Sequence, residues 1–153
     1  LVAWLEAHPD IAGTVVYAPG PRGIEVDTDR TERILAMHPI LHLNEQEAQA
    51  LAGMSGSENH ILAAAQALHA KTGNMVIVTC GADGVLWISA DGSVHSAPSV
   101  PSTVVDTIGA GDSHCGAVLT GLTLGWSEDD TMRFANQIAS EVVAQEGGAY
   151  IRR

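Results

Sequence analysis

The chain has 153 residues, 46% of them hydrophobic and 16% charged, which suits one globular domain with its own core and argues against a disordered chain. Its formal net charge is −11, with 7 Lys and Arg residues and no basic stripe, so nucleic acid is not expected as a partner. No apolar run reaches the roughly 18 residues of a membrane span, so no membrane partner is expected either. Leu1 to His8 reads as the end of an amphipathic helix and not as a signal peptide, which would start basic and carry a long apolar centre. Gly13 to Ala18 is a β-branched run closed by Pro19-Gly20-Pro21, hence a buried strand leaving into a loop. Thr28 to Met37 has helical spacing, Ile40 to Leu43 is a second strand, and Asn44 opens a helix that runs through Leu51 to a stop at Gly53. A further helix spans about Glu58 to Lys71 and breaks at Gly73-Asn74. Met75 to Thr79 is a continuous apolar strand of the kind parallel sheets bury on both faces. Val85 to Ser89 and Ser93 to Ala97 form a hairpin around Asp91-Gly92. After Pro98 to Pro101 comes a glycine loop and an apolar helix from Cys115 to Leu124, and Ser127 opens a last helix to about Gln145, stopped by Gly147-Gly148.

Strands alternating with helices predict an α/β fold, a mostly parallel sheet flanked by helices. Ligands of such sheets sit beyond the carboxyl ends of the strands, which favours the loops after Ala18, Leu43 and Thr79. Cys80 and Cys115 are far apart in sequence and read as buried free thiols in a reducing cytosol, so a cytoplasmic location is expected. The seven histidines show no metal-ligand spacing.

The most informative stretch is Asp106-Thr107-Ile108-Gly109-Ala110-Gly111-Asp112. Glycines let the chain turn tightly and expose N–H groups, and the free amides of a helix's first turn attract anions. A carboxylate beside such amides can take a proton from a hydroxyl while the amides hold a phosphoryl group. The plainer alternative is that Asp112 only caps the helix. Asn44-Glu45-Gln46-Glu47 also follows a strand, and a capping box between Asn44 and Glu47 explains it as it stands. Thr79-Cys80-Gly81-Ala82-Asp83-Gly84 has the plain reading of a strand-to-hairpin turn, and Asn136 that of a solvated helix residue.

Together, and in this order, these segments resemble the PfkB or ribokinase-like family of carbohydrate and nucleoside kinases. The resemblance covers the chain from about Gly13 onward and implies a Rossmann-like three-layer fold. Asp112 matches the family's catalytic base, with Gly109, Ala110 and Gly111 as its anion loop. Thr79, Gly81 and Gly84 match the T-x-G-x-x-G nucleotide loop, and Asn136 a position near the adenine. Asn44 and Glu47 match the N-x-x-E motif that binds magnesium through water, and Asp106 with Ile108 a monovalent-cation site found in some members. His114 departs from the family, which usually has an aromatic residue there. Arg22 keeps only the proline-arginine pair of the family's D-x-N-x-R loop, with Ala18 and Gly20 at its other positions, and reads as a surface arginine.

The resemblance implies ATP-dependent phosphoryl transfer to a hydroxyl of a sugar or nucleoside, with Mg2+ and, in some members, K+. The sheet edge or apolar face left without the N-terminal strands favours self-association, so a homo-oligomer is expected, a dimer being one form. Family members run to about twice this length, so residues 1–153 correspond to a single nucleotide-binding and catalytic portion without the N-terminal strands, the acceptor groups and the lid. Such a segment is expected to be inactive alone. Two other readings stay open: a non-catalytic nucleotide-binding or interaction module, and a dinucleotide-binding oxidoreductase domain. The latter would need G-x-G-x-x-G in its first βαβ unit, whereas the glycine loop here comes late and lacks the third glycine.

Overall fold

The computed structural model describes residues 1–9, 15–20, 23, 28–54 and 60–147. Gly13 and Thr14, Arg22, Glu58 and Gly148, all used in the sequence reading, lie outside the described residues. The elements run α1 (Val2–Ala7), β1 (Val16–Tyr17), α2 (Thr28–Leu35), β2 (Ile40–Asn44), α3 (Glu45–Leu51), α4 (Ile61–Thr72), β3 (Val76–Thr79), β4 (Val85–Ile88), β5 (Val94–Ala97), α5 (Ala110–Leu124) and α6 (Glu128–Val143). The five strands form one sheet in the order β1-β2-β3-β4-β5. β1 and β2 are parallel, with Val16 opposite Ile40 and Tyr17 opposite Leu41. The hairpin turn from β4 to β5 makes the sheet mixed. No described helix is long and apolar enough to cross a membrane.

The chain divides into two compact units, residues 1–78 with 86–95, and residues 79–85 with 96–153. In the first, β2 and β3 are buried almost throughout, as the continuous apolar runs predicted: Leu41, Leu43, Val76, Ile77 and Val78 are all sealed from solvent. Asn44 caps α3 as expected, and the helix ends in a Schellman turn. There the amide of Gly53, at φ 68°, bonds the Ala50 carbonyl, and that of Met54 bonds the Gln49 carbonyl. The hairpin turn also follows the sequence: Ser89 N–H donates to Ser93 O at 2.9 Å and Gly92 sits at φ 85°.

In the second unit α5 and α6 pack closely against each other. The buried positions of α5, His114, Ala117, Val118 and Gly121, fall on one face at helical spacing. Gly121 is what lets the helices approach: a β-carbon there would lie 2.4 Å from Thr131 Oγ1. Ser127 caps α6, accepting from the Asp130 amide at 3.1 Å, with Glu128, Asp129 and Asp130 in its first turn.

Candidate functional site

The glycine segment places its helix start one turn earlier than an aspartate cap would. Gly109, at φ 77°, is the residue before α5 and makes no side-chain cap bond. Asp112 is therefore the third residue of the helix, not its cap, which corrects the plainer reading. Its side chain is exposed and makes no hydrogen bond to the described residues. Ala110 N–H reaches Thr107 O at 3.3 Å and Ser113 N–H closes the first helical bond onto Gly109 O at 2.8 Å. The amides of Gly111 and Asp112 have no backbone acceptor among the described residues. Two orphan donors and the positive end of a 15-residue helix thus stand beside a solvent-facing carboxylate.

Next to that helix start lies a cavity of about 460 Å³, lined wholly by residues of the second unit. It brings together Thr79, Gly81, Gly84, Ala110, Gly111 and Asn136, all marked in the sequence. Gly109, Asp112, Asp106 and Ile108 are not among its lining residues, and Asn44 and Glu47 belong to the first unit. The loop at its edge is closed on itself: Cys80 N–H donates to Gly84 O at 2.7 Å and Asp83 N–H to Cys80 O at 3.0 Å. Gly84 has φ 96° and ψ −127°, and a β-carbon there would sit 2.2 Å from Ala97 O. Ser99 Oγ–H donates to Ala82 O and holds the same two segments together.

The sequence reading missed much of the cavity wall. Ser99, Val100, Pro101, Ser102 and Val104 come from the stretch after β5, which has no period to betray it. Ala139, Ser140 and Val143 were detectable, because with Asn136 they recur three, four and seven positions on, one face of a helix. Asn136 is buried and not solvated. Its amide donates to Pro98 O at 2.8 Å and Ala97 O at 3.3 Å. That orientation leaves Oδ1 as an acceptor, so the His114 contact at 3.2 Å is assigned as Nε2–H donating to Asn136 Oδ1. Burial pushes the His114 pKa down to about 4, against a smaller upward effect of the Asn136 bond, and the ring is neutral near pH 7. Cys80 and Cys115 form no disulfide and are half-buried, not fully buried as expected. Burial, and then the charge of Asp112, push the Cys115 thiol up, which makes it a poor nucleophile.

Asp106 is engaged locally. Oδ1 accepts from the Ile108 amide at 2.9 Å and Oδ2 from the Gly147 amide at 3.1 Å. These two bonds, the Ile108 one first, hold its carboxyl below the usual carboxylate range. In the first unit, the capping box is complete: Glu47 N–H donates to Asn44 Oδ1 at 2.8 Å and Asn44 N–H to Glu47 Oε2 at 3.0 Å. Glu47 is buried and lines a second cavity of about 160 Å³ with Thr28, Thr31 and Glu32. Tyr17's phenol is pushed up by burial, and further by the Glu47 charge.

The fold is shared with solved sugar kinases. Ribokinase of Thermotoga maritima superposes with a TM-score of 0.79 at 26% identity, covering 95% of this chain and 47% of that one. Ribokinase of Arabidopsis thaliana, solved with ribose and ATP, gives 0.69 at 29% identity over 76% of this chain and 38% of that one. This is the three-layer α/β class of ribokinase-like folds. The profile of pfkB family carbohydrate kinases matches residues 12–152. An uncharacterized sugar kinase of Escherichia coli K12, YegV, is 36% identical over 148 residues, 97% of this chain and 45% of the relative. The chain belongs to the pfkB family of carbohydrate kinases. It spans less than half the length of these relatives.

Proposed function

We propose that this chain is the nucleotide-binding and catalytic half of a kinase that transfers the γ-phosphoryl group of ATP to a hydroxyl of a sugar or nucleoside. One observation carries the reading. The residues matching the family's nucleotide motifs, Thr79, Gly81, Gly84, Gly111 and Asn136, line one cavity at the start of α5, where unpaired amides and the exposed Asp112 carboxylate stand together. In this reading Asp112 accepts the proton of the attacking hydroxyl. The amides of Gly111 and Asp112, freed by the turn at Gly109, take up charge that develops on the transferring group. The Thr79–Gly84 loop lies along the nucleotide.

The residues fit a magnesium ion that keeps most of its water. Among the described residues no three His, Cys, Asp or Glu side chains gather into a protein cage. Glu47 offers one buried carboxylate, aimed by its cap bond to the Asn44 amide, and a water-keeping magnesium bound to phosphate needs only one or two carboxylates. When bound, the ion would neutralise phosphate charge. A potassium ion at Asp106 and the Ile108 carbonyl belongs to the same reading, since the carboxylate has about four lone-pair sites and the Ile108 and Gly147 amides do not fill them.

The chain alone is expected to bind nucleotide weakly and to turn over little. The acceptor groups and lid of the resembled family lie in the part of the relatives it does not span. The test is Asp112→Asn in a protein that carries the preceding half. The expected result is a kcat lowered about 10²- to 10⁴-fold with nucleotide affinity kept. Unchanged turnover would remove Asp112 as the base, and sugar phosphorylation at ordinary enzyme rates by residues 1–153 alone would contradict the reading of a half.

A further inference from the structure

We infer that the outer face of α5 is the contact of a two-fold dimer, and that its occupant is a second copy of this chain. This goes beyond the kinase reading, because Gly116, Leu119, Thr123 and Trp126 do not line the larger cavity. α5 carries one charged side chain in 15 residues, Asp112 in its first turn. At about 100° per residue, Asp112, Gly116, Leu119 and Thr123 run down one line, opposite the buried His114, Ala117, Val118 and Gly121. A surface helix sets charge opposite its core face, whereas a helix apolar all round lies between two layers. α6 follows the first rule, with Asp129, Asp130, Arg133 and Gln137 in solvent. α5 follows the second but is covered on one side only. In a chain of net charge −11, this strip is where like-charged copies can meet.

The face can be covered without stranding a donor. Thr120 Oγ–H donates to Gly116 O at 2.9 Å and Thr123 Oγ–H to Leu119 O at 2.7 Å, so neither hydroxyl depends on water. The face also fits itself. Gly116 is an open notch, with nothing within 4 Å of where a β-carbon would stand, and Leu119, one turn on, is an exposed knob. Two antiparallel α5 helices about a two-fold axis set Leu119 over the partner's Gly116, and symmetry makes the contact twice. The same register brings Gly109, and with it the exposed Ile108, beside the partner's Trp126. Trp126 is exposed yet held in place: its ring meets Phe134 edge-on at 5.2 Å and its backbone amide bonds Gly121 O at 3.0 Å. A pre-set aromatic therefore anchors each end of the strip. Asp112 comes opposite the partner's Thr123, whose hydroxyl can turn to the carboxylate. The pair thereby closes the approach to Asp112.

Sedimentation equilibrium of the 153-residue chain tests this, with far-ultraviolet dichroism as the check on folding. A dimer that stops at two is expected. Leu119→Lys, which puts a charge on the knob, and Gly116→Leu, which fills the notch and favours the helix, should each weaken it about tenfold or more. Leu62→Lys, at a similarly exposed leucine of α4, should leave it unchanged. A chain still monomeric at about 100 μM, weaker than a specific pair, would overturn the inference and pass the face to the half of the relatives that this chain does not span. Association that grows beyond two would overturn it in favour of an open strand edge. So would a dimer that either α5 variant, still folded, leaves intact, or one that Leu62→Lys weakens as much.

Discussion

Gly84 and Gly81 occupy the same loop and match the same motif, yet the structure gives them different burdens. At Gly84 a β-carbon would meet three backbone atoms, Ala97 O at 2.2 Å, Ser99 N at 2.5 Å and Pro98 C at 2.6 Å, and the backbone sits at φ 96°. No rotamer relieves a clash with backbone. Gly84→Ala must therefore push the 97–99 segment away and break the bonds that fasten it, Ser99 to Ala82 and Asn136 to Ala97 and Pro98. Three neutral bonds at about 0.5–1.5 kcal/mol each, with about 1–3 kcal/mol of backbone strain, come to about 2.5–7.5 kcal/mol. At Gly81, φ 54°, nothing lies within 4 Å of the added carbon. Only the left-handed backbone penalty of about 1–2 kcal/mol applies to Gly81→Ala. Urea unfolding followed by far-ultraviolet dichroism compares the two. With a slope of about 2 kcal/mol per molar, Gly84→Ala should lower the midpoint by roughly 1.2 M or more and Gly81→Ala by less than about 1 M. Equal midpoints for the two variants would refute the close approach at Gly84, and with it the account of how this wall of the cavity is held.

Gly121→Ala should destabilise the α5–α6 pair by about 1–3 kcal/mol, because the new carbon would lie 2.4 Å from Thr131 Oγ1 and 2.7 Å from its Cγ2. Adding Thr131→Ala removes both atoms but keeps the Thr131 Cβ, 2.9 Å from the new carbon, so it should restore part of the loss in thermal unfolding and not all of it; that buried hydroxyl has no partner among the described residues to lose. His114 makes stability depend on pH. Its folded pKa of about 4 lies below its ordinary 6.5, so the unfolded chain binds the proton first. Stability from this group is complete above about pH 6.5 and falls as pH drops toward 4, by up to about 3 kcal/mol. His114→Phe should flatten that part of the denaturation profile between pH 6.5 and 4, and an unchanged slope would show that the ring is not held neutral.

Local chemistry was legible and tertiary partnership was not. Asn44 and Glu47 could be paired from a three-residue spacing because both cap bonds are made within one turn. The Asp91-Gly92 turn was readable for the same reason. Asp112 as a cap was a fair reading of side-chain preference, but Gly109 enters the left-handed region at no steric cost and starts the helix three residues sooner. His114 could be marked only as a departure. Its burial follows from Asn136, 22 residues away, which supplies an oxygen no pattern at position 114 announces. The wall from Ser99 to Val104 is loop, held by single bonds to helix and turn carbonyls, and such bonds leave no periodic trace in sequence.

The uncharged lining of the larger cavity has a consequence for the solution around it. A polyanionic ligand approaching a chain of net charge −11 meets long-range repulsion and finds no lysine or arginine on the lining to offset it. Added salt screens that repulsion over the roughly 8–10 Å Debye distances of ordinary buffers. Ionic strength should therefore favour capture of the triphosphate proposed to bind here, the reverse of what cationic phosphate sites experience.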